Sequence, residues 1–176
     1  MEGERDAQVR HEYVDGQVYA MSGSTARHNR IAGNIFSRFH SHLVNGLCEA
    51  FISDVKLLVA PNIFYYPDVM VPCDPPGGDP YFKTDPVLIV EVLSPSTART
   101  DRHEKLAAYL GIGSLQEYLV VAQDQSRIEL HRRTGEGGWL TELYQQPEEQ
   151  IALNSIGLSL SVADIYRNVG FDEVPT

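Results

Sequence analysis

Val87-Leu88-Ile89-Val90 is an apolar, mostly β-branched run that suits a strand buried on both faces, yet Glu91 follows it directly and Val92-Leu93 continue the apolar pattern. A carboxylate in such a run needs a partner, because acids are almost never buried alone. Asp68, which follows Pro67 and opens Val69-Met70-Val71, presents the same anomaly. Two apolar strands each carrying one acid constrain the chain strongly: the acids are expected to converge on a cation. A divalent metal is the expected one, with the rest of the chain built to hold the pair in place.

With 176 residues and 43% hydrophobic side chains, the chain is expected to build a single core without disulfides. Residues 1–10 read as a charged N-terminal tail, 11–170 as one domain and 171–176 as a C-terminal tail. Cys48 and Cys73 are too few and too irregularly placed for a disulfide framework, and no Cys/His ligand spacing points to zinc. A reduced, cytoplasmic protein is expected, with no membrane partner, since no apolar run approaches the roughly 20 residues of a spanning helix. The net charge of -10 argues against nonspecific binding of nucleic acid over a broad face. It leaves room for a local cleft, because acids that bind a metal are negative until the metal arrives.

In chain order, HEYVDGQVYAM over His11 to Met21 reads as two short strands around Asp15-Gly16, the dipeptide of a two-residue hairpin. Ser22-Gly23-Ser24-Thr25 offers an N-cap, and Ile31, Ile35, Phe36, Phe39 and Leu43 form one helical stripe, predicting a helix from Thr25 to Asn45 that stops at Gly46. Strands are expected over Glu49–Ile52, Val55–Ala60 and Tyr66–Val71. The segment Pro72–Pro86 holds five of the ten prolines and reads as a loop between the two acid-bearing strands. After the strand Val87–Leu93, Ser94-Pro95-Ser96-Thr97 gives a turn and cap, and Arg99–Leu110 reads as a helix ending at Gly111. Strands Glu117–Ala122, Arg127–Arg133 and Trp139–Tyr144 form a meander, and Leu158–Tyr166 ends in a short helix capped near Ser161. The order predicts an α/β (α+β) fold.

Phosphodiester hydrolysis suits this pattern. Mg2+ selects hard oxygen ligands, needs only one or two carboxylates and keeps several waters, and a lysine within reach can act on the water or the phosphate. Lys105 is the candidate, 14 residues beyond Glu91 on the following helix. Glu12, His28 and Tyr109 form a second tier: an acid or imidazole that completes the shell, and a ring that orients Lys105 or stacks on substrate. Each residue has a plainer role open to it. Asp68 suits a turn after proline, Glu91 a buried ion pair, Lys105 an i,i+4 pair with Asp101, and His28 a helix cap. Arg99, Arg102 and Lys105 recur every three residues and would present a small basic patch. Trp139 reads as core.

Pro67-Asp68, the run Glu91-Val92-Leu93-Ser94-Pro95-Ser96-Thr97, then Asp101, Lys105 and Tyr109, then Glu117-Tyr118-Leu119-Val120, together resemble the Uma2 family of the PD-(D/E)xK nuclease superfamily. The resemblance spans about Glu12 to Val169 and takes in Asp15-Gly16, Met21-Ser22 and His28. It implies a restriction-endonuclease-like central mixed β-sheet flanked by helices, with an N-terminal β-hairpin. It also implies a Mg2+ (or Mn2+) dependent endonuclease site acting on DNA, with Asp68 and Glu91 as metal ligands. The chain departs from the motif at the lysine position, which holds Leu93. In the superfamily a neighbouring helix can supply the lysine, and Lys105 is the candidate. A homodimer is the expected assembly. The competing reading is a nuclease fold kept for binding nucleic acid or protein, which Leu93 and the acidic charge favour.

Overall fold

The computed structural model describes residues 11–14, 17–20, 24–73, 79–93 and 100–171. Its elements are β1 (His11–Val14), β2 (Gln17–Ala20), α1 (Ala26–Leu43), β3 (Phe51–Ile52), β4 (Lys56–Ala60), β5 (Ile63–Tyr65), β6 (Val69–Pro72), β7 (Phe82–Lys83) and β8 (Pro86–Leu93). They continue with α2 (Thr100–Leu110), β9 (Glu117–Ala122), β10 (Ile128–Arg133), β11 (Trp139–Tyr144), β12 (Gln150–Leu153), β13 (Leu158–Ser161) and α3 (Val162–Ile165).

The centre is a six-stranded mixed sheet in the order β11-β10-β9-β8-β6-β3. Only β8 and β9 run parallel, because α2 carries the chain from one to the other; the remaining pairs are antiparallel. A second sheet, β2-β1-β5-β4-β7, and a hairpin of β12 and β13 complete the α/β architecture.

Alternation along the central strands divides the interior in two. Leu88, Val90 and Val92 of β8, with Val69 and Val71 of β6, turn to the face covered by α1, α3 and the β12–β13 hairpin. Ile89 and Met70 turn to the other face, against Leu57, Tyr65, Tyr109 and Leu115 from the second sheet and the α2 region. Both faces of β8 are therefore dry, as its near-continuous apolar sequence requires. Glu91 shares the parity of Ile89 and so enters the α2 face.

Helix α1 starts where the polar run ends: the Thr25 hydroxyl accepts from the His28 amide, and the helix buries Ile31, Ile35 and Phe39. At the other end of the chain, Ser161 caps α3 through a reciprocal capping box with Asp164.

Several expectations are corrected. The strand expected from Tyr66 begins at Val69, and the preceding apolar residues form β5, since Pro67 has no amide to give a ladder and breaks the run. Residues 72–86 are not loop throughout, because Phe82–Lys83 pairs parallel with β4. Strand β12 is an addition to the expected elements: Ile151 and Leu153 alternate inward over only four residues. The cysteines are not reduced: Cys48 and Cys73 form a disulfide across a separation of 25 residues. The Glu49 amide donates to the Pro72 carbonyl at 3.1 Å, which continues the β3–β6 pairing and sets the two cysteines side by side. Spacing along the chain hides such a cross-strand neighbour. The tails 1–10 and 172–176, the Asp15-Gly16 turn, Met21 to Gly23, residues 74–78 and the Ser94–Thr97 cap lie outside the described residues, as does the side chain of Asp101.

Candidate active site

β6 and β8 bring the two acids together. Val69 pairs with Val90, so Asp68 arrives beside Glu91 one step further along the antiparallel register. Asp68 Oδ2 accepts the Val92 amide at 2.7 Å, which fixes the carboxylate against the end of β8. His28, in the first turn of α1, places Nε2 3.2 Å from the same oxygen. Burial alone would lower the imidazole pKa, but the hydrogen bond and charge of Asp68, with the Val92 backbone, outweigh it and raise it. His28 thus reaches Asp68 as well as standing at a helix end.

Glu91 is buried, at 7% exposure. Its Oε1 accepts from the Tyr109 hydroxyl at 2.8 Å and lies 3.6 Å from Lys105 Nζ. Lys105 and Tyr109 are four apart on α2 and hence on one helical face, which explains why both reach the same carboxylate. Lys105 also meets Glu12 of β1 at 2.8 Å and lies over the Tyr65 ring at 5.4 Å. The Tyr66 amide contacts Glu12 in turn. The basic patch expected from Arg99, Arg102 and Lys105 falls largely on side chains outside the described residues.

The electrostatics follow from this crowding. Burial pushes the Glu91 carboxyl up to about 8; Lys105 and the Tyr109 hydrogen bond pull it down, while Asp68 and Glu12 push it further up. Tyr109 is held well above its ordinary value by burial and by Glu91. With Glu91 ionised, three acids share one ammonium and one imidazole, an arrangement short of positive charge.

That deficit, with the donor chemistry, is the test of fit for a metal. Among the described residues, the contacts of Asp68 fall on Oδ2 and those of Glu91 on Oε1, leaving Asp68 Oδ1 and Glu91 Oε2 without protein partners. These are hard oxygen donors on neighbouring strands, of the kind and number Mg2+ takes when water fills the rest of its shell. Among the described residues no three His, Cys, Asp or Glu side chains are grouped to hold a metal by themselves.

The structure therefore brings together all six of the singled-out residues: Asp68, Glu91, Lys105, Glu12, His28 and Tyr109. Sequence reasoning missed Tyr65, whose ring underlies Lys105. No local signal marks it, because β5 itself went unread.

Known proteins share the sequence and the fold. The chain is 40% identical over 173 residues to the uncharacterized protein slr1290 of Synechocystis sp. (strain ATCC 27184 / PCC 6803 / Kazusa), covering 97% of this chain and 90% of that one. It is 34% identical over 154 residues to the uncharacterized protein sll1609 of the same organism, covering 85% and 87%. Its fold is that of a crystal structure described as "a putative nuclease belonging to DUF820" from Anabaena variabilis ATCC 29413, with a TM-score of 0.75 at 19% identity and 91% of each chain covered. The model of the Uma2 family, described as "Putative restriction endonuclease", matches residues 1–163, and the chain belongs to that family.

Proposed function

We propose that this protein is a metal-dependent endonuclease that hydrolyses DNA phosphodiester bonds, with Asp68 and Glu91 as ligands of Mg2+ or Mn2+ and Lys105 as the assisting cation. The observation that carries the reading is the 3.6 Å approach of Lys105 Nζ to Glu91, from a helix that begins beyond the Leu93 position. A bound divalent ion would supply charge to the phosphoryl oxygens and lower the pKa of a water. The chain's own residues do the rest. The Val92 amide and His28 fix Asp68, and Tyr109 fixes Glu91. Glu12 holds Lys105 close to the acids, so that its ammonium is in place to orient a water or to meet developing negative charge on the phosphate.

The second reading, a nuclease fold used for binding, is favoured by one observation: the net charge of -10 opposes a polyanionic substrate everywhere except at a local cationic spot. The deciding experiment is cleavage of plasmid, linear duplex and single-stranded DNA in Mg2+ and Mn2+, repeated with Glu91→Ala. The endonuclease reading requires cleavage by the wild type that the variant lacks. No cleavage under any condition favours the binding reading, and cleavage that survives in Glu91→Ala marks a contaminant. A cytoplasmic location and a homodimer belong to the same proposal. Among the described residues no helix is long and apolar enough to cross a membrane.

A further inference from the structure

The described sheet edges are unequal. β3 and β7 are two residues long and β2 is four, whereas β11 presents six residues, Trp139 to Tyr144, at the end of the central sheet. Its pairing with β10 runs without a bulge. It carries no proline and no lysine, and its single charge, Glu142, is already engaged by Arg132 at 3.1 Å. Leu140 and Leu143 are 53% and 47% exposed. Apart from Glu142, none of the usual devices that blunt an edge strand is present among the described residues.

The backbone phase of the edge follows from its neighbours. The Thr134 amide donates to the Gly138 carbonyl, so alternation turns the amides and carbonyls of Leu140, Glu142 and Tyr144 toward β10. Those of Trp139, Thr141 and Leu143 face outward, and among the described residues no backbone partner meets them.

We propose that β11 is the interface of a homodimer, in which two copies join their central sheets by antiparallel β11–β11 pairing about a two-fold axis at Thr141. A two-fold axis between antiparallel strands must pass through a residue paired with itself, and Thr141 is the middle one of the three that face outward. In that register Trp139 lies opposite the partner's Leu143 on one face. On the other, Leu140 lies diagonal to the partner's Leu140 and the partner's Tyr144, and Glu142 stands opposite the partner's Leu140, so no like charges are apposed. Centring on Glu142 instead would oppose two carboxylates and turn inward-facing amides to the interface. Outward amides, leucine positions and charge agree on one register, which makes a second copy the occupant. The inference rests on the homodimer of the proposed function and gives it an interface, while its test reads association and not cleavage.

Sedimentation velocity of the full chain over about 5 to about 500 µM tests it. The wild type should pass from monomer to dimer and do so more readily at higher salt, because two copies of charge -10 repel one another. Leu143→Lys should weaken the association at least about tenfold while leaving the circular dichroism spectrum, and the melting temperature at the lowest concentration, unchanged. Leu140→Lys repeats the test should the first variant misfold. In the dimer the amides of Trp139, Thr141 and Leu143 should gain protection from hydrogen exchange. A chain monomeric at the highest concentration, a dimer indifferent to both lysine variants, dissociation by added salt, or unprotected β11 amides would each overturn the proposal.

Discussion

Lys105 Nζ stands 3.6 Å from Glu91 Oε1 although 14 residues and the change from strand to helix separate them. The position two residues after Glu91 holds leucine, so on the proposed reading this lysine would take, by tertiary structure, the place that the motif usually fills by sequence. Lys105→Ala should lower DNA cleavage by about 100-fold or more, the scale of removing one preorganised charge from a developing oxyanion. The rise in melting temperature on adding Mg2+ should persist, since a lysine is no metal ligand. Cleavage rates and thermal melts with and without Mg2+ check both halves. Loss of the Mg2+-dependent shift would mean that Lys105 organises the acids instead of acting beside them.

Glu91 gives the fold a pH dependence of definite sign. Its carboxyl, pushed up to about 8 by burial, binds a proton more tightly in the folded chain than at its ordinary value of 4.5. A raised acid contributes stability that is whole below pH 4.5 and is lost as pH rises through about 8. In EDTA, the melting temperature of the wild type should therefore fall over that window relative to Glu91→Gln, which keeps the shape and has no proton to lose. At the alkaline end, Mg2+ should restore the wild type and leave the variant unmoved. Parallel profiles for the two proteins would show that Glu91 is ionised throughout.

Tyr109→Phe probes the same carboxylate from its other partner. The ring packs edge-on against Tyr65 and Tyr118 at 5.4 Å each, so phenylalanine keeps the packing and removes only the hydroxyl given to Glu91. The cost in stability should be about 1 kcal/mol by urea denaturation. With that stabilising bond gone, the wild-type pH window should move to higher pH.

Much of this was readable from residues alone where one rule acted undisturbed. The stripe of Ile31, Ile35 and Phe39 fixed α1, and the turn residues around β9, β10 and β11 bounded those strands within a residue. Asp68 and Glu91 were visible as acids in apolar runs, and the structure makes them neighbours by the β6–β8 register. What stayed hidden depends on contacts distant in sequence. Glu12 on a short hairpin strand gives no sign that it will meet Lys105, and Cys48 and Cys73 become neighbours only once β3 pairs with β6. β5 was lost because Pro67 splits one apolar run into two strands in different sheets.

Cys48–Cys73 should stabilise the chain by closing a loop of 25 residues, worth about 3 kcal/mol in the loop-entropy account. Cys48→Ser with Cys73→Ser, or the wild type in excess reductant, should unfold at lower urea concentration than the oxidised protein. Thiol titration of the unreduced, denatured wild type should find no free sulfhydryl. Two titratable thiols would refute the bridge.

Glu117 is 1% exposed, yet its role is structural, and the distinction can be measured. Its carboxylate accepts the amides of Asn154 and Ser155 at 3.0 Å each, takes the Ser155 hydroxyl and pairs with Arg132. Arg132 also donates to the Ala152 carbonyl, so one buried acid and one arginine tie the β12–β13 hairpin to the central sheet. Glu117 pairs with Leu88, three residues before Glu91 on β8, so it stands about 10 Å along the strand from the acid pair. Glu117→Ala would leave two amides without their acceptor and Arg132 held by Glu142 and the Ala152 carbonyl alone, and should cost about 3 kcal/mol, read as an earlier urea midpoint. Below that midpoint, the cleavage rate per folded molecule should match the wild type. A variant that keeps its midpoint and loses cleavage would move Glu117 from the framework into the chemistry.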